Sequence, residues 1–222
     1  YPTREERMKR FDFPCAVMQE REDLADSIYY LAEYLNDLGV LYAEVRFAPQ
    51  QHQLAGLSQK EVIEAVVDGM KRAEKDFPEV ILRLINCLMH KGPDADFNMK
   101  ENMETVEATK ETLGKYVVAL DLAGYENTGD FMKYAPLFEK AREYDIPYTI
   151  HAGECGSVQS ILDAVDSENS LVVRTVSTPS MLMHPLKTPS PGATSRGRLS
   201  PVSAAVFKLE QPSSTTPSMG IF

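Results

Sequence analysis

The stretch Asp145-Ile-Pro-Tyr-Thr-Ile-His-Ala-Gly-Glu-Cys-Gly156 places a histidine and a glutamate at the end of a short apolar run. Residues 146–150 are typical of a buried strand in a parallel sheet, since such strands are covered on both faces. His151 follows at once, and Glu154 stands across a turn of small residues. An imidazole can ligate a metal and a carboxyl group can carry a proton, so this strand end could support metal-assisted hydrolysis. Taken alone, a short motif of this kind is more often structural.

Three further apolar runs precede this stretch, and helical patterns separate them. Strands are predicted at residues 40–49, 80–89, 116–123 and 146–151. Helices are predicted at residues 23–38 and 157–165, and from Gly129 and Asp130 through Tyr144. A capping box of Ser58 and Glu61 predicts a further helix that reaches about Lys75. An Asn98 cap predicts another that reaches about Leu113. The alternation predicts an α/β fold with a parallel sheet whose strands end at one common rim. Periodicity alone does not distinguish an open sheet from a closed barrel.

Charge and cysteine content exclude several classes of function. The chain has 222 residues and a net charge of -10, whereas nucleic-acid binding needs clustered Lys and Arg, so no nucleic-acid partner is expected. No apolar run reaches the roughly 18 residues of a membrane span, so no membrane partner is expected either. Cys15, Cys87 and Cys155 are widely spaced and include no Cys-x-x-Cys pair. This pattern favours a reducing, cytoplasmic location over a disulfide framework.

The composition changes abruptly after residue 166. Residues 1–166 carry 31 acidic and 18 basic side chains, whereas residues 167–222 carry 2 and 5. The second part holds half of the fourteen prolines, with repeated Thr-Pro and Ser-Pro pairs. Such a segment buries too little apolar surface to offset the entropy of ordering it. We therefore predict a folded domain at residues 1–166 and a disordered or non-homologous tail at residues 167–222.

Three segments together resemble the adenosine deaminase family. They are Tyr42-Ala-Glu-Val-Arg-Phe-Ala-Pro49, Val118-Ala-Leu-Asp-Leu-Ala-Gly-Tyr-Glu126 and Thr149-Ile-His-Ala-Gly-Glu154. They occur in the family's order, and the 27-residue step from Gly124 to His151 agrees with the family pattern. The resemblance extends over most of residues 1–166 and none of the tail.

The resemblance implies a zinc-dependent hydrolase on a (β/α)8 barrel of the TIM type. Its reaction would convert adenosine and 2'-deoxyadenosine to inosine and 2'-deoxyinosine plus ammonia, so the implied cofactor is Zn2+ and the implied partner is a small purine nucleoside. A zinc ligand of the family falls on His151. The glutamate that protonates the purine ring falls on Glu154, whose pKa burial would raise. The backbone of Gly124 would bind the purine, and Asp121 and Glu126 could touch substrate or cap a turn.

The sequence also departs from the family pattern. The family's first strand carries a His-x-His pair of zinc ligands, and no such pair occurs in this sequence. The family's Gly-His-Gly turn and a further metal-binding Asp would fall beyond residue 166. Because catalytic zinc generally has three protein ligands, we expect this polypeptide to be an inactive fragment lacking the first and last barrel strands. Deamination of adenine or another purine remains an alternative, as does a non-enzymatic remnant or a binding module with a regulated Ser/Thr-Pro tail.

The other histidines and the charged residues of the first predicted strand are expected to have structural and not catalytic roles. His52 and His184 are expected in ordinary surface loops, and His90 is expected in the loop after the second strand. Glu44 and Arg46 lie on one face of a predicted strand. Since charged groups within a sheet are usually paired, these two side chains are expected to belong to a structural ion pair there.

Overall fold

The structure is a computed structural model that describes residues 9–90, 98–124, 126, 131–153 and 158–166. Its regular elements follow each other as α1 (Asp12–Val17), α2 (Arg21–Asp37), β1 (Tyr42–Phe47), α3 (Gln59–Asp76), β2 (Ile81–His90), α4 (Met99–Thr112), β3 (Val117–Gly124), α5 (Ala135–Glu143), β4 (Tyr148–Ile150) and α6 (Val158–Asp166). Short 3-10 turns lie at Lys9–Phe11, Pro49–Gln51 and Phe131–Tyr134. None of the helices described has the length and apolar character needed to cross a bilayer.

The four strands form one parallel sheet in the order β1-β2-β3-β4. Tyr42 pairs with Ile81, Cys87 pairs with Asp121, and Asp121 pairs in turn with Thr149. Each strand is therefore added beside its predecessor, always in the same direction. A doubly wound open sheet would reverse its strand order at a switch point, whereas a barrel does not. The order confirms the α/β prediction and is that of four consecutive strands of a (β/α)8 barrel.

The helices cover one face of this sheet through two hydrophobic clusters. The first joins α2 and α3 to β1 and β2, and the second joins α5 to β3 and β4. The largest side chains of the two clusters include Leu24, Ile28, Ile63, Met70 and Leu84 in the first, and Leu120, Leu122, Leu137, Phe138 and Ile150 in the second. Both clusters follow the apolar spacing that the sequence analysis used, three and four residues in helices and two in strands.

Two predicted helix caps have different outcomes. At α3, the Glu61 amide donates to Ser58 Oγ at 3.3 Å while the Ser58 amide donates to Glu61 Oε2 at 2.9 Å, which confirms the capping box. At α4, the predicted cap is wrong: Asn98 makes no cap hydrogen bond and has a left-handed backbone with φ of 59°. An N-cap residue needs an extended backbone. The side-chain amide group of Asn98 (Nδ2) instead donates to the side chains of Gln50 and Asn102.

The predicted helix after β3 and the predicted fourth strand are both shorter than expected. The helix after β3 is predicted to start at Gly129 and Asp130, which lie outside the described residues. In the described part that follows, a 3-10 turn at Phe131–Tyr134 precedes an α-helix that begins only at Ala135. Strand β4 lacks residues 146 and 147 because the Ile146 amide donates back to Ala141 O at 2.9 Å, within the turn that ends α5. The predicted tail at residues 167–222 also lies outside the described residues and remains a prediction.

Candidate active site

The carboxyl ends of β2, β3 and β4 meet at one rim of the sheet. His90, the last residue of β2, is the register partner of Gly124, the last residue of β3. His151 follows β4 directly, and its amide donates to Leu122 O of β3 at 2.9 Å. The parallel register thus brings two of the three predicted site residues, Gly124 and His151, to neighbouring strand ends. The third, Glu154, lies outside the described residues.

A fully buried carboxylate supports the imidazole of His151. Nδ1 of His151 lies 2.8 Å from Oδ2 of Asp121, whose side chain is 0% exposed, while the His151 side chain keeps 24% of its surface exposed. Thr149 donates to Oδ1 of Asp121 at 2.6 Å. Arg46 Nε lies 3.4 Å from Oδ2, and the Cys87 thiol lies 4.0 Å from the same oxygen. We call these five residues the Asp121 cluster.

The period of two in β-strands explains why this cluster forms. Thr149 and His151 are two residues apart and so point to the same side of β4. Asp121 is the register partner of both Thr149 and Cys87, which places the three side chains in one row across the sheet. Leu120 and Leu122 point to the opposite side, where they pack in the second hydrophobic cluster. The Asp121 cluster therefore occupies the face of the sheet that the helices do not cover.

Gly124 occupies a position that no larger residue could adopt without strain. Its φ is +109°, a backbone conformation that L side chains rarely adopt. A Cβ atom at this position would lie 2.8 Å from the carbonyl oxygen of His90 and 3.2 Å from the His90 nitrogen. The end of β3 thus packs closely against the backbone at the end of β2. Because Gly124 has no side chain, its own backbone stays uncovered by one.

Glu126 ties the turn after β3 to the turn after β4. Its buried carboxylate accepts a hydrogen bond from the backbone amide of Gly153, inside the His-Ala-Gly-Glu turn. Of the two roles considered for Glu126, this contact is that of a turn cap. Asp121 has a different role from either of those considered for it, because its partners are the side chains of strands β1, β2 and β4.

Two histidine predictions are wrong. His90 is the last residue of β2 and not part of a loop; it is buried, and its ring lies 4.4 Å from that of Tyr134 at an angle of 69°. His52 is also buried, with Nδ1 2.7 Å from Met18 O and its ring beside Phe47, so it is not in an ordinary surface position. Burial lowers the pKa of His52 from its ordinary value. His184 lies outside the described residues.

The predicted ion pair of β1 is present in part. Arg46 does form an ion pair within the sheet, and its partner there is Asp121 on β3. Glu44 accepts a hydrogen bond from the Tyr42 hydroxyl at 2.8 Å. The partner of Arg46 comes from a strand two positions away in the sheet, which the residues of β1 alone do not reveal.

Gln50, Asn98 and Asn102 form a buried amide network that was not predicted from the sequence. The Asn102 side chain accepts from the Met89 amide at 2.8 Å and donates to the Met89 carbonyl at 3.1 Å, so it replaces a strand partner at the end of β2. Gln50 donates to Asn102 Oδ1 at 2.9 Å. One signal was available in the sequence, since Asn102 lies four positions before the apolar Val106 and hence on the same face of the predicted helix.

The described residues supply one candidate metal ligand and not a complete metal site. Among them, no group of three or more His, Cys, Asp or Glu side chains is arranged to hold a metal ion. His151 suits a ligand because a carboxylate stands behind one ring nitrogen while part of the side chain stays accessible. A catalytic zinc generally needs three protein ligands, so the remaining ones would have to come from residues outside the described part.

The family model for adenosine deaminase matches residues 4–170. The chain belongs to the adenosine deaminase family. An adenosine deaminase from Clostridium perfringens is 36% identical over 162 residues, which are 73% of this chain and 47% of that protein. The chain spans about half the length of the curated family members it matches. These matches confirm the resemblance inferred from the three motifs.

Solved structures share the fold over the same part of the chain. An N6-mAMP deaminase from Arabidopsis has a TM-score of 0.64 at 24% identity, covering 73% of this chain and 49% of that one. An adenine deaminase from Arthrobacter aurescens has a TM-score of 0.65 at 21% identity, covering 76% and 50%. An amidohydrolase from Burkholderia ambifaria, solved with bound zinc, has a TM-score of 0.59 at 25% identity, covering 67% and 40%.

Proposed function

We propose that this chain forms part of a zinc-dependent enzyme that deaminates adenosine and 2'-deoxyadenosine to inosine and 2'-deoxyinosine plus ammonia. The observation that carries the proposal is the meeting of His151, backed by Asp121, with the Gly124 turn at one rim of a deaminase-family barrel. The proposed partner is a small purine nucleoside, without nucleic acid or membrane, and the proposed location is the cytoplasm. The described free cysteines, Cys15 and Cys87, agree with a reducing compartment.

His151 is the proposed zinc ligand among the described residues. One ring nitrogen of His151 lies 2.8 Å from a buried carboxylate, and metal-binding histidines generally have such a group behind them. When bound, zinc would supply an activated water molecule as the nucleophile for hydrolysis. The other protein ligands would come from outside the described residues, and the printed sequence has no His-x-His pair to provide two of them.

The purine would lie against the Gly124 turn. Without a side chain at Gly124, a flat ring can approach the backbone at this strand end. Glu154 follows Gly153, whose amide is held by the Glu126 carboxylate. Glu154 would hold a proton and give it to a ring nitrogen of the purine, which makes the neighbouring carbon more electrophilic. Each of these contacts concerns the base, so the proposed residues do not discriminate adenosine from adenine.

The direct test is inosine and ammonia production from adenosine in the presence of zinc. We expect no turnover by the 222-residue chain alone, and turnover by a longer chain that adds a His-x-His pair upstream and a Gly-His-Gly turn downstream. In the longer chain, His151→Ala should abolish both zinc binding and activity. The matched control, His184→Gln, removes a histidine outside the family match and should retain both. Absence of activity in the folded, zinc-loaded longer chain would refute the proposal.

Substrate comparison decides the finer assignment. Adenosine, 2'-deoxyadenosine and adenine are assayed in parallel with the longer chain. We expect the two nucleosides to have the higher kcat/KM because the curated relatives are adenosine deaminases. A preference for adenine would keep the reaction type and replace the substrate. Near-stoichiometric zinc in the purified 222-residue chain would contradict our expectation that this chain lacks a complete ligand set.

A further inference from the structure

Glu126 joins the turn after β3 to the turn after β4 by a hydrogen bond. Its side-chain oxygen Oε1 accepts from the backbone amide of Gly153, and both residues are buried. A buried backbone N–H needs a hydrogen-bond partner, because it has lost the water that it binds in the unfolded chain. The described ladder between β3 and β4 ends earlier, at the pair of Leu122 with Ile150 and the amide of His151. Glu126 therefore does for Gly153 what a neighbouring strand does for the residues before it.

Gly153 is also fixed from the side of α6. Its φ is +81°, and a Cβ atom there would lie 2.5 Å from Ile161 Cδ1 and 2.6 Å from Ile161 Cγ1. A glycine adopts this backbone in such close contact without strain. Ala152, just before it, is 0% exposed and packs in the second hydrophobic cluster. The turn thus lies between an apolar side chain of α6 and the carboxyl group of Glu126, and both contacts restrict its backbone.

The turn after β3 has a separate anchor. Gly124 is the register partner of His90, and its close approach to the His90 backbone holds it at the end of β2. Loss of the Glu126 contact should therefore release the turn after β4 and leave the Gly124 turn in place. This difference separates a positioning role of Glu126 from a general loss of structure at the rim.

We propose that Glu126 is a positioning residue, which holds the Gly153 amide and thereby the backbone just before Glu154, the proposed proton donor. The catalytic meaning of this contact rests on the proposed function. The contact itself lies within the described residues and can be measured without a substrate. Because a general acid acts only within hydrogen-bond reach of its target, a small displacement of this backbone should slow the chemical step more than it weakens substrate binding.

Amide hydrogen exchange of Gly153 in the 222-residue chain tests the contact directly. Labelling alanine with 13C at the carbonyl and glycine with 15N selects the amides of the three glycines that follow an alanine, which are Gly56, Gly124 and Gly153. Ala55→Ser and Ala123→Ser each remove one of the other two signals and so identify Gly153. We expect slow exchange of the Gly153 amide in the parent chain. Exchange as fast as that of an unstructured glycine would overturn the proposal without any variant.

Two variants of Glu126 separate its acceptor oxygen from general packing. Glu126→Leu removes the acceptor at similar volume, and exchange at Gly153 should become about 10-fold faster or more. Glu126→Gln keeps an acceptor oxygen in the same place and should retain slow exchange. Gly56 is the internal reference, since its amide donates to the backbone oxygen of Gln53 at 3.0 Å and does not involve Glu126. Unchanged exchange at Gly153 in folded Glu126→Leu, or equal acceleration at Gly56, would contradict a specific role for Glu126.

Kinetics of the longer chain test the positioning role. Glu126→Leu should lower kcat for adenosine by about 10- to 100-fold and leave KM within about twofold, whereas Glu126→Gln should keep kcat near the parent value. A raised KM with unchanged kcat would show that Glu126 acts on binding and would overturn the proposal. An equal loss of kcat in Glu126→Gln would also overturn it, since the proposed role needs only an acceptor oxygen. A parent longer chain that deaminates nothing would remove the proposed function, while the exchange of Gly153 would still show whether Glu126 holds the turn.

Discussion

Replacing Gly124 with alanine tests whether the turn after β3 needs both its unusual backbone and its close contact with β2. A non-glycine residue at positive φ costs about 1–2 kcal/mol. The new Cβ atom would also lie 2.8 Å from the His90 carbonyl oxygen, a backbone atom that cannot move aside alone. Overpacking of this kind costs about 1–3 kcal/mol, and the reduced freedom of the unfolded chain returns about 0.4–1 kcal/mol. Together these ranges give an expected loss of stability of about 1–5 kcal/mol, centred near 3 kcal/mol.

Gly56 provides the matched control for this substitution. Its φ is +92°, yet a Cβ atom there would meet nothing within 4 Å. Gly56→Ala should consequently lose only the backbone part, about 0–1.5 kcal/mol after the same unfolded-state correction. Urea denaturation followed by far-UV circular dichroism suits a chain without tryptophan. If Gly124→Ala and Gly56→Ala agree within about 0.5 kcal/mol, the argument for close packing of Gly124 on His90 is refuted.

Four further changes test other parts of the structure. Ser58→Ala removes the capping box of α3 and should cost about 1 kcal/mol in thermal or urea unfolding; a loss near zero would contradict the cap. Asn102→Ala leaves two strand groups of β2 without their partner and should cost about 2–5 kcal/mol. Cys87, whose pKa burial raises, should be alkylated far more slowly than Cys15 in native protein, as read from modified peptides by mass spectrometry. Because burial lowers the folded-state pKa of His52, the unfolded chain binds that proton first, and stability should fall as pH drops below about 6.5; His52→Gln should flatten this fall.

The two central strands were accessible from sequence because they are largely buried along their length. Residues 80–89 and 116–123 are nearly continuous apolar runs, and the observed strands differ from them by a single residue at either end. What periodicity could not provide was the strand order, which depends on contacts between residues tens of positions apart. The register of β1 through β4 supplies that order and, with it, the barrel character of the sheet.

The candidate site was accessible only where a residue type was unusual in itself. A glycine at a strand end and a histidine before a small-residue turn are visible in the sequence, and both lie at the rim. Asp121 offered no such signal, since its tie to His151 arises from the alignment of β3 with β4 across 30 positions. The errors at Asn98 and His52 have a similar cause, because polar residues satisfied by distant partners look like caps or surface residues when only their neighbours are considered.

The central claim is that residues 4–170 provide the purine-facing and one metal-binding part of an adenosine deaminase. The most direct test replaces the matching segment of the Clostridium perfringens adenosine deaminase with residues 4–170 of this chain. Inosine formed from adenosine and bound zinc are then measured in the hybrid. We predict that the folded hybrid binds zinc and produces inosine, and that His151→Ala in the hybrid loses both. A folded hybrid that keeps its zinc and activity after His151→Ala would contradict the account.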